Sequence, residues 1–474
     1  MKTRNLLYLL PLAALTACEP DIDEMERSGG SADFTRMVAV GNSLTAGFQS
    51  NALSAEGQVN SLPQIIANQL NQVSPTTFTQ PVIPGEVGMK GVGLSPLLPR
   101  GTVAPALVLR LAPNCNNVVG PAPQLGFAPY SGDEFFASVG ANGPFNNVGV
   151  PGARVGNLNQ VGYGSIQGNP YFARFASNPR ETMLQAAMRN NPTFFQLWIG
   201  NNDVLGYSTS GGEEGGDNVT SVTVFADLFG AALDTLTKNG AEGVVANIPD
   251  VTSIPYFTTV PTGTEITQAQ ADLLNAAYAP YNGGLDAVVG QNAAFQPEAD
   301  ARKIRFAAGA NTFVVVDLTL TDLSGNGLPS IRQIKSGELL TLTTPGDSLR
   351  CGGWGTAKAI PGNFHLTNAE LANISSAIAG YNDIIRSEAT SRGLAFVDAN
   401  ARLKELSTRG ITVDGISFSS TFVSGGAFSL DGVHPSTRGY AIIANDFISA
   451  INATYGASIP KVNVGSFETI EIAR

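Results

Sequence analysis

The chain has 474 residues, of which 43% are hydrophobic and 14% are charged. This composition supplies enough apolar side chains for a folded core and excludes an intrinsically disordered protein. With 27 Lys and Arg against 38 Asp and Glu, the net charge is -11, which excludes a nucleic-acid-binding protein that relies on a basic surface. The chain has three cysteines, with no CxxC pair among them, and two histidines, so we expect no zinc site made from these residues. We also expect no other metal and no cofactor.

The N-terminus has the pattern of a targeting segment. Lys2 and Arg4 precede an apolar stretch of 12 residues (6–17), too short to span a bilayer, and Cys18 follows small residues. This pattern resembles a bacterial lipobox. It implies a signal peptide over 1–17 and a lipid attached to Cys18, although an ordinary secretory signal with a chance cysteine is the alternative.

Residues 18–33 are acidic and polar, and we interpret them as a flexible tether. The acidic run 19–24 resembles the surface-export signal of some lipoproteins, but a solvated linker explains it equally well. The membrane is thus an expected partner through the lipid anchor. We expect an outer-membrane lipoprotein that faces either the periplasm or the cell surface, and no nucleic-acid partner.

Two cysteines remain once Cys18 carries a lipid. Export implies an oxidising compartment, in which Cys115 and Cys351 can form a disulfide. Two unpaired buried thiols are the alternative.

Strand and helix signals alternate through the remaining chain. Short apolar, β-branched runs predict strands, and apolar residues at helical spacing predict helices. A capping-box pattern at Thr367 and Glu370 marks the start of one of these helices. The predicted strands are 37–40, 147–150, 194–199, 243–248 and 394–397, and the predicted helices are 62–70, 182–188, 222–237, 367–391 and 436–455. This alternation predicts an α/β fold with a parallel sheet that is covered by helices on both faces.

Three stretches between these elements are rich in turns. We interpret 73–144, with a hairpin around 103–111, as a long insertion, and 251–310, with helical pieces, and 318–363 as two more. Residues 34–474 are therefore expected to form a single domain with loop insertions.

Four short blocks carry the residues of a hydrolytic site. Ser43 follows the first strand, Gly152 lies in the block 147–153, Asn202 lies in 200–203 after another strand, and His434 lies in 431–435. In this order the blocks resemble the GDSL family of serine hydrolases, also called SGNH hydrolases, and the resemblance extends from residue 37 to about 455. It implies a three-layer, flavodoxin-like α/β fold.

The resemblance also implies a role for each block. Ser43 is expected to attack an acyl carbon, His434 to take its proton, and Asp431 to orient the imidazole and stabilise its charge. The backbone N–H groups of Ser43 and Gly152 and the side-chain amide of Asn202 are expected to bind the oxyanion. The expected substrate is the acyl ester of a lipid or of an acylated glycan.

Three features need separate interpretation. The family's usual aspartate before the serine is Asn42 here, a change in a residue that braces the loop. The literal letters GDSL at 346–349 come after the second and third blocks, so we expect Ser348 to be a loop residue near Cys351. His365 precedes a helix and is expected at its cap or on the surface.

Other functions use the same residues. A carbohydrate acetyl-esterase or an acyltransferase would use the same site, and the insertion 73–144 is expected to decide among them. A non-catalytic lipoprotein that binds glycans or partners is the alternative of another class. A GxSxG motif near Ser43 is missing, which disfavours the α/β-hydrolase fold.

Overall fold

The computed structural model describes residues 27–84, 89–91, 103–126, 132–470 and 472–473. The proposed signal peptide, Cys18 and the first part of the tether lie outside the described residues. The end of the predicted tether is already attached to the fold, because the N–H groups of Ser28 and Ser31 donate to Ser458 and Tyr455.

The described residues form a five-stranded central sheet, several two-stranded sheets and the helices between them. The strands are β1 (Met37–Gly41), β2 (Met89–Gly91), β3 (Val103–Pro105), β4 (Leu107–Pro113), β5 (Val119–Leu125), β6 (Asn147–Gly149), β7 (Phe194–Trp198), β8 (Glu242–Ala246), β9 (Gly263–Ile266), β10 (Gly309–Thr312), β11 (Val314–Val316), β12 (Ile331–Gln333), β13 (Leu339–Leu340), β14 (His365–Leu366), β15 (Ala395–Val397), β16 (Ile411–Val413) and β17 (Ile416–Phe418). The α-helices are α1 (Ser43–Ala46), α2 (Ala55–Val59), α3 (Leu62–Leu70), α4 (Gly132–Phe135), α5 (Pro170–Phe175), α6 (Met183–Met188), α7 (Asn202–Thr209), α8 (Val222–Thr237), α9 (Pro255–Thr258), α10 (Gln268–Gln291), α11 (Gln296–Arg302), α12 (Gly346–Arg350), α13 (Asn368–Ser391), α14 (Ala399–Thr408) and α15 (Thr437–Tyr455).

The central sheet has five parallel strands in the order β15-β8-β7-β1-β6. Numbered by their order in the chain, these strands run 2-1-3-4-5 across the sheet, which is the flavodoxin-like order. The predicted α/β class with a parallel sheet is confirmed. The carboxyl ends of β1, β6 and β7 are neighbours, so the loops that follow them meet at one edge of the sheet.

Helices cover both faces of this sheet. On one face α15 packs against α3, β8 and β15; on the other, α8 packs against α6 and α13. Consecutive side chains of β7 point to opposite faces of the sheet. Phe194 contacts Tyr455 of α15, whereas the next residue, Phe195, points to the other face. Every residue of β1 and β7 is buried, which explains why β1 is an uninterrupted apolar run and β7 is apolar except for Gln196.

The regions predicted as insertions contain more regular structure than their sequence indicates. The prediction of a hairpin around 103–111 is wrong: β3 pairs with β2, and the hairpin is formed by β4 and β5. Within 251–310 the structure has the 24-residue helix α10, which the sequence hides because Pro280 lies inside it. In the part of the sequence between β8 and β15, two small apolar clusters pack around Tyr281 and Phe313, separate from the main core. The division into one domain with insertions stays a prediction.

In the part of the chain that the structure describes, no helix combines the length and apolar character needed to cross a membrane.

Candidate active site

Ser43 lies at the carboxyl edge of the sheet, one residue beyond the turn that ends β1. Asn42 holds this turn: its Oδ1 accepts from Leu44 N–H at 3.0 Å, and its Nδ2 donates to Asn201 Oδ1 at 3.1 Å. A Cβ on Gly41 would lie 2.5 Å from the Trp198 carbonyl oxygen, so the close approach of β1 to β7 requires glycine there. Asn42 thus joins the first and third sequence blocks.

His434 comes from the opposite end of the chain and reaches Ser43 directly. Its Nε2 lies 2.8 Å from Ser43 Oγ, and its Nδ1 lies 2.9 Å from Asp431 Oδ2. The Phe48 ring packs against the imidazole with a centroid distance of 4.8 Å. The three predicted residues therefore form one continuous hydrogen-bonded chain, with each His434 nitrogen assigned to a different neighbour.

The Asp431 carboxylate is held by several further donors. Oδ2 accepts from the Asn51 N–H at 2.8 Å, and Oδ1 accepts from the N–H groups of Val433 and His434 and from the Ser429 hydroxyl. Burial alone would raise the pKa of Asp431, but the His434 charge and the hydrogen bonds from His434 and Val433 outweigh it and lower the pKa to about 2. Asp431 is therefore ionised at neutral pH. Sequence reasoning missed Asn51 and Ser429, because neither belongs to a motif.

Gly152 and Asn202 lie on two loops that hydrogen bonds join. Asn202 begins α7, and its Nδ2 donates to the carbonyl oxygen of Ala153 at 2.9 Å, which leaves its second amide hydrogen for another acceptor. The next residue, Asp203, accepts from the Val155 N–H at 3.0 Å. Gly152 has φ +83°, a left-handed conformation that favours glycine. Both loops are thereby fixed beside Ser43.

Two cavities meet at Ser43. The larger has a volume of about 600 Å³, and its lining includes Gly152, Asn202, Asp431 and His434. Each of the three predicted insertions contributes to its wall: Leu107 and Pro123 from the first, Tyr256 from the second, and Leu342 and Thr343 from the third.

The second cavity has a volume of about 120 Å³. It shares Ser43, Asn202, Leu205, Val433 and His434 with the first cavity and continues between α14 and α15. Neither helix was assigned to the site from the sequence.

The remaining candidate residues lie elsewhere. Ser348 is on the short helix α12, so the expectation of a loop is wrong, and it lines neither cavity at Ser43. His365 lies two residues before Thr367, the N-cap of α13, but it is 2% exposed with its Nε2 3.1 Å from Glu338 Oε2, so a surface position is wrong. Cys115 and Cys351 form a disulfide that links the turn after β4 to the end of α12.

Within the described ranges, the structure has no cluster of three or more His, Cys, Asp or Glu side chains arranged to hold a metal ion.

Comparison with known proteins identifies a family. A family model described as GDSL-like Lipase/Acylhydrolase matches residues 37–447, which include all four sequence blocks. No curated protein matches the chain.

Proposed function

Because the chain belongs to the GDSL-like lipase/acylhydrolase family, we propose that it hydrolyses acyl esters with Ser43, His434 and Asp431 as its catalytic residues. The observation that carries the proposal is the unbroken chain of hydrogen bonds from Ser43 Oγ through His434 to Asp431, at 2.8 and 2.9 Å. A serine hydroxyl is a weak nucleophile without a neighbouring base, and a base works best when a third group orients it.

The acylation step follows from this arrangement. Ser43 Oγ attacks the acyl carbon while its proton passes to His434 Nε2, and the ionised Asp431 stabilises the imidazolium that forms. The carbonyl oxygen becomes an oxyanion, to which the N–H groups of Ser43 and Gly152 and the second amide hydrogen of Asn202 would donate. As the first residue of α1, Ser43 has an N–H without an intrahelical acceptor.

Collapse of the tetrahedral intermediate completes the first half of the reaction. The ester C–O bond breaks, His434 Nε2 returns its proton to the leaving alkoxide, and the acyl group stays on Ser43 Oγ. Water then attacks the acyl carbon with His434 again as the base, which releases the carboxylic acid and restores Ser43.

We further propose that the enzyme acts outside the cytoplasm as an outer-membrane lipoprotein. The support comes from the sequence of residues 1–18 alone: two basic residues, a short apolar stretch and Cys18 after small residues. Lipid chains on Cys18 would supply stable attachment. Cys18→Ala should move the protein from the membrane fraction to the soluble fraction; equal membrane attachment of both forms would contradict the anchor.

The catalytic proposal is tested with p-nitrophenyl acetate, butyrate and longer esters. Ser43→Ala is expected to lower kcat by about 10⁶-fold, as removal of a serine nucleophile does elsewhere. Ser348→Ala is the matched control, because Ser348 belongs to the literal GDSL letters but lies outside the site. This variant should keep wild-type activity.

Labelling by a fluorophosphonate probe gives an independent measurement. The probe should modify Ser43 in the wild type and nothing in Ser43→Ala. A wild-type protein that cleaves none of the esters and is not labelled at Ser43 would overturn the proposal.

A further inference from the structure

The second cavity at Ser43 is a groove between two helices that both begin at the active-site edge of the sheet. On α14 the lining residues are Ala399, Arg402, Leu403 and Leu406. Their spacing of three and four residues places them on one face of the helix. This face of α14 therefore lines the groove over two turns.

The facing helix shows the same spacing. On α15 the lining residues are Gly439, Ile442, Ile443 and Asp446, which again lie three or four positions apart. Gly439 follows His434 by five residues, so the groove begins beside the proposed base. Two helices with matched faces thus enclose a path that leads away from Ser43.

The surface of this path is apolar. Leu403, Leu406 and Ile442 are each less than a tenth exposed and contribute only hydrocarbon. The two charged residues in the wall pair with each other, since Arg402 Nε donates to Asp446 Oδ2 at 2.7 Å. Each thereby neutralises the other and ties α14 to α15, and the groove offers no free charge to a polar ligand.

The two cavities at Ser43 correspond to the two arms of an ester. The larger cavity has hydroxyl and amide groups in its wall, from Thr209, Thr343 and Asn51, which suit an alcohol. The helical groove offers a hydrocarbon chain a surface on which burial of each methylene is favourable. The groove is the more apolar of the two cavities and is therefore the better match to an acyl chain.

The length of the groove limits the length of that chain. Ala399 and Leu406 are seven residues apart, which is about 10 Å along a helix. A carbon chain with bonds of about 1.5 Å advances roughly 1.3 Å per bond, so about eight carbons span this distance.

On the basis of the proposed function, we propose that the groove between α14 and α15 binds the acyl chain and that the enzyme prefers medium-chain esters, near the octanoyl length. The expected gain is about 4-fold in kcat/KM for each added methylene until the groove is full, or about 250-fold from butyrate to octanoate.

The experiment measures kcat/KM for monomeric p-nitrophenyl esters from acetate to laurate with the full chain. Leu403→Trp, which fills the groove, should lower the ratio of kcat/KM for octanoate to kcat/KM for acetate at least about 10-fold. Leu406→Ala, which lengthens the groove, should shift the optimum to longer chains. Leu273→Trp is the matched control, since Leu273 is 73% exposed on α10, and it should leave the whole profile unchanged.

The outcomes separate this proposal from the proposed function. If acetate is the best substrate while the fluorophosphonate probe still labels Ser43, the acyl-binding groove is refuted and the hydrolase proposal stands. An unchanged profile in both groove variants also refutes the groove. Loss of all activity and labelling in the wild type would instead overturn the hydrolase proposal. Retained acetate hydrolysis and Ser43 labelling show that each variant is folded.

Discussion

The buried ion cluster around Glu338 leads to a quantitative prediction about acid stability. The two carboxylate oxygens of Glu338 accept from Arg332 at 2.7 and 2.8 Å, and Oε2 also contacts His365. Burial by itself would raise the pKa of Glu338. Hydrogen bonds from His365, Arg332 and the Lys335 N–H, together with the Arg332 charge, outweigh this effect and lower the pKa to about 2. The cluster supports β13, just before the cavity residues Leu342 and Thr343.

We expect Glu338→Gln to destabilise the fold in a pH-dependent way. A pKa lowered from 4.5 to about 2 in the folded state corresponds to about 3 kcal/mol of unfolding free energy. Because the folded-state pKa is the lower one, this stabilisation is complete above about pH 4.5 and is lost as the pH falls through about 2. The variant should therefore be about 3 kcal/mol less stable at neutral pH and approach the wild type in acid.

Urea unfolding followed by tryptophan fluorescence measures this difference. Trp354 packs 5.7 Å from Phe364, next to the region in question, and reports on it. The titration compares wild type, Glu338→Gln and the exposed control Glu265→Gln from about pH 6 to about pH 2.5. If the difference in unfolding free energy between wild type and Glu338→Gln were constant over this pH range, the electrostatic reasoning would be refuted. A similar loss in Glu265→Gln would show that the effect is not specific to the cluster.

Three further predictions concern the oxyanion site, the core and the disulfide. Asn202→Ala should lower kcat for ester hydrolysis by about 10²–10³-fold with little change in KM, because the amide is proposed to act mainly in the transition state; steady-state kinetics with an unchanged kcat would contradict this role. Gln196→Met should raise the unfolding free energy by about 1–3 kcal/mol, since the buried Gln196 amide has no hydrogen-bond partner among the described residues. A melting temperature below that of the wild type would show that the amide stabilises the fold. Replacing Cys115 and Cys351 by Ser opens a loop with a sequence separation of 236 and should lower the unfolding free energy by up to about 5 kcal/mol. Equal urea midpoints with unchanged slopes for the variant and the wild type would contradict this chain-entropy account.

The elements of the central sheet could be predicted because their sequence signals are local. Strand β1 is a run of buried apolar residues, and Thr367 accepts from the Glu370 N–H in the capping box that begins α13. Helix α10 has no comparable signal, because Pro280 and the glycines that follow it weaken its helical pattern. The strands β4 and β5 contain Pro113, Pro121 and Pro123, which suit a two-stranded hairpin but conceal it in the sequence.

The site was predictable only as far as its motifs extend. Ser43, Asp431 and His434 belong to recognisable blocks, and the structure brings their side chains together. The Asn51 N–H that holds Asp431 lies 380 residues away in sequence, and a single backbone donor leaves no mark on its own residue type. The groove did leave a signal, since apolar residues recur at helical spacing on α14 and α15. That spacing is equally typical of helices that pack in a core, so only the structure distinguishes a groove from core packing.

The distance between Ser43 and His434 along the chain, 391 residues, also determines when the molecule can first react. Synthesis proceeds from the N-terminus, so a growing chain contains the serine long before it contains the histidine. In the folded protein α15, which follows His434 directly, packs against β15 and α3. On the proposed mechanism, a nascent chain has a nucleophile without a base. The order of synthesis therefore delays activity until His434 has been added to the chain.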